Sequence, residues 1–422
     1  MFRTILISTE PGLNMIGGSE LISQVSGLSE LIKYENQQQP DDNFNDILDR
    51  WEVFRQTRGL ATRFNNPKGF FKMLARAKNN VEQPLALFFL DEQDICAILM
   101  ASIKKQNAPC AIGPVGLPSP KLRSLSVGES GFIHDNEQAT LEEVKHFLGN
   151  LVKTKALDFI EMFNVRLDSP WHRMITATIV SETWDIIEVP QVRWQTQLLD
   201  KEKGGRFNFH SKKTRYKQRR QDRLLVEAFS GKVNLVEITK ADQVDYFIEA
   251  ASGIVEQTYQ ASLGIGVRKD DTELKDFLLE LIEDDYLRAY LLEAKGKAIS
   301  YALGDVQSNV YYLWATSFLP EHRKLTPGTV LLNRIMNNLA EEGVELFDFG
   351  YGDSSYKRIL GSHKLNEADL LFYSKRLAPY VSYLLNRGAK SVESKLRQML
   401  VAGNGLDKAR RAWRKLLVKK GK

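Results

Sequence analysis

The stretch DFGYGDSSYK, from Asp348 to Lys357, places two carboxylates, two tyrosines and a lysine within ten residues. A strand that ends at such a glycine-containing turn would deliver polar groups into a cleft. There Asp348 could act as a general base or orient a substrate. The same carboxylate could also bond only to local backbone N–H groups, or hold magnesium as the Asp of this motif does in protein kinases.

The kinase interpretation fails on the rest of the chain. A kinase also needs a GxGxxG loop, a VAIK-like lysine strand and an HRD catalytic loop upstream of Asp-Phe-Gly, and the sequence contains none of these. Asp348 is therefore a candidate base or orienting carboxylate and not a metal ligand.

A second candidate motif, TPGT, precedes this stretch. Thr326 can cap a helix, Pro327 suits the first helical position, and Gly328 lets a ligand approach the backbone closely. The N–H groups at such a helix start form an anion site that fits a pyrophosphate. Thr-Pro-Gly also begins many helices for capping reasons alone.

The surrounding elements would bring these two motifs together. The sequence predicts strands at 286–292, 298–303 and 310–317, a helix from Thr326 to Gly343, strand VELFDFG, a short helix SSYKRIL and strand DLLFYS. The resulting order is β-β-β-α-β-α-β, and the anion site follows the third strand.

The first half of the chain has a similar plan. LALFFLDEQDICAILMASI begins at Leu85 and LRAYLLEAKGKAISYALGD begins at Leu287, and each reads as strand, polar turn, strand. Each is followed later by a helix and a strand. The pattern favours an internal duplication, although hairpins recur in any α/β protein.

Composition narrows the class of protein. The chain has 422 residues, which suggests two or three domains, and 43% of them are hydrophobic. Apolar runs such as LALFFL are too short to span a membrane, and the N-terminus lacks the features of a signal peptide. Cys96 and Cys110 form no CxxC pair. We expect a cytoplasmic protein without disulfides.

Positive charge is concentrated in two segments. Residues 375–422 contain 14 Lys and Arg against two acidic residues, and residues 201–223 contain 10 against two, within a net charge of +5. A uniformly cationic nucleic-acid-binding body is therefore disfavoured.

The ordered motifs resemble a known superfamily. YLRAYLLEAKGKAISYALG, TPGTVLLNRIM and LFDFGYGDSSYKRILG resemble the GNAT acyl-CoA transferases, in particular the CelD-type branch associated with cellulose biosynthesis, and more distantly the Fem-type aminoacyl transferases. SKKTRYKQRRQDRLL and LDFIEMFNVRLDSPW also look like that branch, and the resemblance covers roughly residues 45–375.

The resemblance implies an α/β fold with mixed sheets, built as tandem GNAT-like domains with a basic helical linker and a helical C-terminal extension. The sequence therefore divides into five predicted segments. They are a weakly ordered arm with at most a short helix (1–44), a degenerate GNAT-like domain that binds no cofactor (45–200), a basic linker helix (201–230), the acyltransferase domain (231–378) and a basic helical tail (379–422).

Two departures from the family pattern are visible. The phosphate loop Gln/Arg-x-x-Gly-x-Gly/Ala of ordinary GNAT enzymes is replaced by LTPG. Phe318 and Leu319 stand where the branch commonly has Tyr-Asp, which puts any role for an acidic residue at this position in doubt.

Acyl transfer from a thioester requires an activated nucleophile, donors for the oxyanion and a proton for the thiolate. The resemblance implies acetyl-CoA or another acyl-CoA as co-substrate and no metal. The catalytic candidates are Asp348, at a strand end that would line the cleft, and Tyr356, on the helix where many GNAT enzymes place the tyrosine that protonates the thiolate. The candidates at the cofactor are Thr326, Pro327, Gly328, Thr329 and Lys357, and those at the acceptor are Glu256, Tyr259 and Asp353. Each of these residues could instead have an ordinary structural role: packing in the core, capping a helix or carrying a solvated charge.

Three functions stay open at this stage. The first is acyl transfer to an amino sugar, polysaccharide or cell-envelope precursor. The second is a Fem-type transferase that uses aminoacyl-tRNA, in which case the basic segments bind RNA. The third is an inactive binding module. The basic tail, with Leu406, Trp413 and Leu416 on one side, could also contact the inner face of a membrane.

Overall fold

The computed structural model describes residues 2–9, 28–34, 42–58, 62, 65–67, 81–92, 94–112, 115–153, 156–178, 184–199, 212–258, 261 and 266–402. The chain divides into two compact units. The first contains residues 1–191 and 366–399, and the second contains residues 192–365 and 400–422.

The strands in chain order are β1 (Phe2–Thr9), β2 (Leu28–Tyr34), β3 (Val81–Asp91), β4 (Asp94–Asn107), β5 (Ala111–Ile112), β6 (Val115–Gly116), β7 (Lys121–His134), β8 (Phe159–Arg166), β9 (Trp184–Gln197), β10 (Val233–Ile238), β11 (Leu287–Ala294), β12 (Lys297–Gln307), β13 (Val310–Phe318), β14 (Leu346–Tyr351) and β15 (His363–Ser374).

The helices are α1 (Asp42–Thr57), α2 (Gln138–Lys153), α3 (Pro170–Thr178), α4 (Lys212–Ala228), α5 (Val244–Glu256), α6 (Thr272–Glu283), α7 (Pro327–Glu341), α8 (Ser355–Leu360) and α9 (Leu377–Ala402). A 3-10 helix, Pro320–Leu325, leads into α7.

The second unit is a mixed sheet with helices on both faces. Its strand order is β10-β11-β12-β13-β14-β9. Alternate residues of β11 point to opposite faces. Tyr290 and Leu292 pack with α4 and α7, whereas Ala289 and Leu291 pack with α5 and α6. The period-two pattern of this strand therefore builds both hydrophobic layers.

The first unit repeats this construction. Its strand order is β15-β8-β7-β4-β3-β1-β2. Leu87 and Phe89 of β3 pack with α2 and α3, and Phe88 packs with α1, where its ring meets Trp51 edge to face at 5.6 Å. The order β-β-β-α-β-α-β predicted for the second half is present there, and the first half has the same order once the short strands β5 and β6 are left aside. Strand β7 is parallel to β8, and β13 is parallel to β14.

The last strand of each repeat crosses a unit limit. Residues 193–197 of β9, from the first half of the sequence, pair with β14 of the second unit. Residues 367–373 of β15, from the second half, pair with β8 of the first unit. The chain therefore changes unit within these strands, which the limits 45–200 and 231–378 did not foresee.

Three other segments differ from the sequence prediction. The arm predicted as weakly ordered contains β1 and β2, and β1 gains its hydrogen-bond partners from the edge of β3. The basic linker helix α4 packs inside the second unit through buried Leu225. Helix α9 is continuous from Leu377 to Ala402, and the rest of the predicted basic helical tail, residues 403–422, lies outside the described residues.

Candidate active site

The parallel strands β13 and β14 separate in the middle of the second unit. They pair only at Val310–Leu346, Tyr311–Phe347 and Tyr312–Asp348. Residues 313–318 continue alongside β12, while β14 continues to Tyr351 opposite Arg193 of β9. The two strands thus leave an opening between residues 313–318 and residues 349–351. Residues 314–318 are partly exposed although β13 lies inside the sheet.

A β-bulge marks the point of separation. Leu303 pairs with Ala315 and Gly304 with Leu313, so Trp314 is the extra residue on β13. The Trp314 indole donates to Asp305 over 2.7 Å and stacks on Phe277 with ring centroids 5.3 Å apart. Bulges of this kind redirect side chains beside active sites.

Helix α7 begins beyond the far end of β13. Thr326 has a left-handed backbone, with φ of 51° and ψ of 46°, and its carbonyl accepts from the N–H groups of Thr329 and Val330 at 3.1 Å each. The predicted side-chain cap is wrong, because the Thr326 hydroxyl makes no capping bond. Among the described residues this buried hydroxyl has no hydrogen-bond partner at all.

The expected anion site is consequently smaller than the sequence suggested. Pro327 is buried and has no N–H, and the Thr329 N–H is already used. Within residues 266–402, no backbone carbonyl accepts from the Gly328 N–H. This N–H and the Thr326 hydroxyl are the donors left at the start of α7. A Cβ on Gly328 would lie 3.1 Å from the Phe318 ring, so this glycine also permits close packing.

Two cations beside this helix start were missed by the sequence analysis. Arg323 and Lys324 are exposed on the 3-10 helix that leads into Thr326, and no carboxylate of the described residues pairs with them. The run HRKLTPG contains the signal, since basic residues directly before a helix N-terminus favour a phosphate. These two side chains supply the positive charge that LTPG lacks.

Asp348 lies on the opposite side of the opening and is 1% exposed. Its Oδ2 accepts from Arg193 Nε at 2.6 Å and from Gln195 Nε2 at 2.7 Å, and its Oδ1 accepts from the Gly350 N–H at 2.7 Å. Both oxygens are therefore engaged, an arrangement that suits an orienting carboxylate better than a base.

Lys357 lies next to this cluster on α8 and is 8% exposed. Its ammonium donates to the carbonyl of Tyr351, and the Arg193 guanidinium lies over the Tyr351 ring, 5.5 Å from its centroid. Burial lowers the pKa of Lys357 to about 8, against the opposing effect of nearby Asp348. No contact among the described residues joins Lys357 to residues 326–329.

Tyr356 and Asp353 have separate surroundings. Tyr356 is half-buried on α8 and meets Phe349 edge to face, with centroids 6.3 Å apart. Asp353 is exposed, accepts from the Trp194 indole at 3.2 Å and pairs with Arg358 at 3.0 Å. Asp353 therefore holds the turn before α8 to β9.

The two remaining acceptor-site candidates are Glu256 and Tyr259. Glu256 is exposed at the last position of α5. Tyr259 lies outside the described residues. Among the residues that the structure describes, no group of three or more His, Cys, Asp or Glu is arranged to hold a metal ion.

The basic helix α4 runs antiparallel to α7. Phe229, directly after α4, meets His322 before α7 with ring centroids 5.2 Å apart, and Asp222 pairs with Arg334 two turns into α7 at 2.8 Å. Its most basic part, residues 212–220, consequently extends toward the C-terminal end of α7. This direction leads away from Thr326 and disfavours a contact with the phosphates of a coenzyme at that site.

Comparison with known families identifies the domain built around this opening. Residues 212–358 match the model of the acetyltransferase (GNAT) domain family. The chain contains a GNAT-type acetyltransferase domain. The match begins with α4 and ends within α8, so the GNAT domain includes the helix start at Thr326 as well as Asp348 and Tyr356. The predicted mixed α/β fold of GNAT type is confirmed.

Several solved structures resemble this chain at low sequence identity. FemX is 12% identical with a TM-score of 0.50, over 72% of this chain and 90% of FemX. The C-terminal domain of a putative lysylphosphatidylglycerol synthetase from Agrobacterium fabrum is 11% identical with a TM-score of 0.47, over 82% and 96%. A tandem GNAT protein from the clavulanic acid biosynthesis pathway is 12% identical with a TM-score of 0.40, over 80% and 97%. A comparison with curated proteins gave no match.

Proposed function

We propose that the GNAT domain is an acyl-CoA-dependent N- or O-acyltransferase that acts on an amino sugar, a polysaccharide or a cell-envelope precursor. The observation that supports this most strongly is the separation of β13 from β14 next to the start of α7. An extended thioester with amide groups can add to the open side of β13 as a strand would. The acceptor class follows the sequence resemblance to the CelD-type branch.

The residues at the start of α7 fit the phosphates of such a co-substrate. A buried hydroxyl without a partner costs free energy unless a ligand satisfies it, and the Thr326 hydroxyl is such a group. The Gly328 N–H, the positive end of the α7 dipole and the exposed cations Arg323 and Lys324 complement it. Thr329, in the same turn, keeps its assignment to this site. Bound here, acyl-CoA would supply the activated acyl group.

The residues across the opening would position the acceptor and transfer protons. Tyr356 is proposed to protonate the departing thiolate. Asp348 is proposed to orient the acceptor through Arg193 and Gln195, which both donate to it. Lys357, with a pKa near 8, is better suited to proton transfer near neutral pH than to phosphate binding. Glu256, Tyr259 and Asp353 remain candidates for acceptor contacts.

A second candidate is a Fem-type transferase that uses aminoacyl-tRNA. The observation that favours it is the row of exposed cations on α4, which includes Lys213, Lys217 and Arg220. Among the described residues, none of these three pairs with a carboxylate. Such a row suits a polyanion such as RNA. The third candidate is an inactive binding module. Such a module would use the same cleft for binding and would show no turnover of acyl-CoA.

A turnover assay with a Tyr356→Phe variant tests the first proposal. Release of free thiol from acetyl-CoA and longer acyl-CoA would be followed with amino sugars as acceptors. Loss of a general acid should lower turnover roughly a hundredfold or more. Tyr216→Phe, at an exposed tyrosine of α4, is the matched control and should retain full activity. If Tyr356→Phe equals the parent, the assigned role of Tyr356 is wrong.

A further inference from the structure

The outward face of α9 is apolar and exposed. One face of the helix, with Tyr383, Asn386 and Ala389, packs into the first unit. The opposite face carries Leu377, Val381, Leu384, Leu385, Val392, Leu396 and Met399, whose exposed fractions range from 39% to 82%. Helix α9 is therefore apolar on a side that the described residues do not cover.

These side chains form one continuous stripe. They recur at helical spacing over the 26 residues of α9, a length of about 39 Å. Soluble proteins rarely expose contiguous apolar patches of this kind unless the patch binds a partner. No helix in the described part of the chain is long and apolar enough to cross a membrane.

The charges on α9 indicate the nature of the partner. Lys395 is exposed and has no carboxylate partner among the described residues. Arg387 is exposed as well, but it lies beside the packed face, where it donates to the Tyr383 hydroxyl at 3.0 Å. Glu393 is the only acidic residue in the helix sequence, and it lies toward the packed side, 3.3 Å from Lys390. By helical spacing, Lys395 lies among the apolar residues of the outward face, and Arg387 lies at its border. The sequence that follows, residues 403–422, is rich in Lys and Arg and contains the single acid Asp407.

We propose that the outward face of α9 binds a lipid bilayer that contains anionic headgroups. An amphipathic helix of this composition lies in the interface, with its apolar side chains among the acyl chains and its Lys and Arg at the headgroups. Each Lys or Arg near the surface adds to the attraction. The proposal is independent of the acyl-transfer chemistry and concerns the first unit alone.

A second copy of the chain is a poorer occupant of this face. Two such helices packed through this face would place the Lys395 ammonium of each copy in an apolar interface. The outward face offers no carboxylate to neutralise it, so association of two copies would bury an unpaired charge. An anionic bilayer provides the complementary charge instead.

Vesicle flotation of the full chain tests this proposal. The parent should bind vesicles of phosphatidylcholine with phosphatidylglycerol more tightly than vesicles of phosphatidylcholine alone. Leu384→Gln with Leu396→Gln should weaken binding roughly tenfold, because two interfacial side chains lose their apolar contact. Val53→Gln with Leu117→Gln, at exposed apolar residues elsewhere in the first unit, should bind like the parent.

Charge removal provides a second measurement. Arg387→Gln and Lys395→Gln should each weaken binding to the anionic vesicles roughly fivefold. Light scattering of the parent and of the Leu384 and Leu396 variant reports the mass of each protein in solution. The proposal is overturned if the parent does not bind anionic vesicles, or if the Leu384 and Leu396 variant binds equally well. It is also overturned if those two substitutions only convert a dimer into a monomer.

Discussion

Arg193 donates to Asp348 over 2.6 Å, although 155 residues separate the two along the chain. The contact forms because β9, the last strand of the first repeat, pairs with β14 in the second unit. Asp348 is 1% exposed, and its partner Arg193 is buried as well. The candidate active site is therefore completed by a strand that the first half of the sequence supplies.

Removing Arg193 should strongly destabilise the second unit. Arg193→Gln leaves a buried carboxylate without its cation, which costs roughly 3–5 kcal/mol in the free energy of unfolding. Arg358→Gln removes the partner of Asp353 in a pair that is about half exposed, and should cost less than about 1 kcal/mol. Urea unfolding measures both, and equal losses would contradict the structural role assigned to Arg193.

Thr326→Val should separate ligand binding from stability. Because the Thr326 hydroxyl is buried and has no partner in the described residues, its removal should leave stability unchanged or raise it by about 1 kcal/mol. The affinity for acetyl-CoA should fall roughly three- to tenfold, the effect of one lost hydrogen bond.

The control for this prediction is Thr196→Val. The Thr196 hydroxyl donates to the Leu360 carbonyl at 2.5 Å, so its removal should cost roughly 1–3 kcal/mol of stability. A loss of stability in Thr326→Val as large as that in Thr196→Val would show that the Thr326 hydroxyl has a structural partner.

Lys357 should make stability depend on pH in the alkaline range. Below pH 8 this lysine is charged in both states, and the cost of burying the charge is fully present. Between about pH 8 and 10.5 the folded protein loses the proton while the unfolded chain keeps it, so stability rises with pH. Relative to Lys357→Met, the parent should gain up to roughly 3 kcal/mol across this window. A stability difference that does not change with pH would refute the lowered pKa.

Gly304 should tolerate no side chain. A Cβ at this position would lie 2.3 Å from the Tyr312 carbonyl oxygen, next to the bulge at Trp314. We expect Gly304→Ala to lower the free energy of unfolding by roughly 1–3 kcal/mol or more, the usual cost of overpacking, or to prevent folding. Gly149→Ala, in helix α2 with no atom within 4 Å, should instead stabilise by about 0.5–1 kcal/mol. Thermal unfolding compares the two.

The sequence predicted what local patterns determine. Strands β11 to β14, helix α7 and the order of elements in the second half follow from alternation and helical periodicity, which act between neighbouring residues. The partners of Asp348 were missed because Arg193 and Gln195 approach it through a strand exchange that no local pattern encodes. The cap at Thr326 was predicted from residue type, but its left-handed backbone turns the carbonyl, and not the hydroxyl, toward the helix.

Calorimetric titration of the full chain with acetyl-CoA tests the central claim most directly, because it measures binding without any assumption about the acceptor. The proposed acyl-CoA site predicts saturable binding to one site per chain, weakened in Thr326→Val and retained in Tyr216→Phe. The absence of heat with acetyl-CoA and with longer acyl-CoA, together with saturable binding of bulk tRNA, would contradict it and favour the aminoacyl-tRNA alternative.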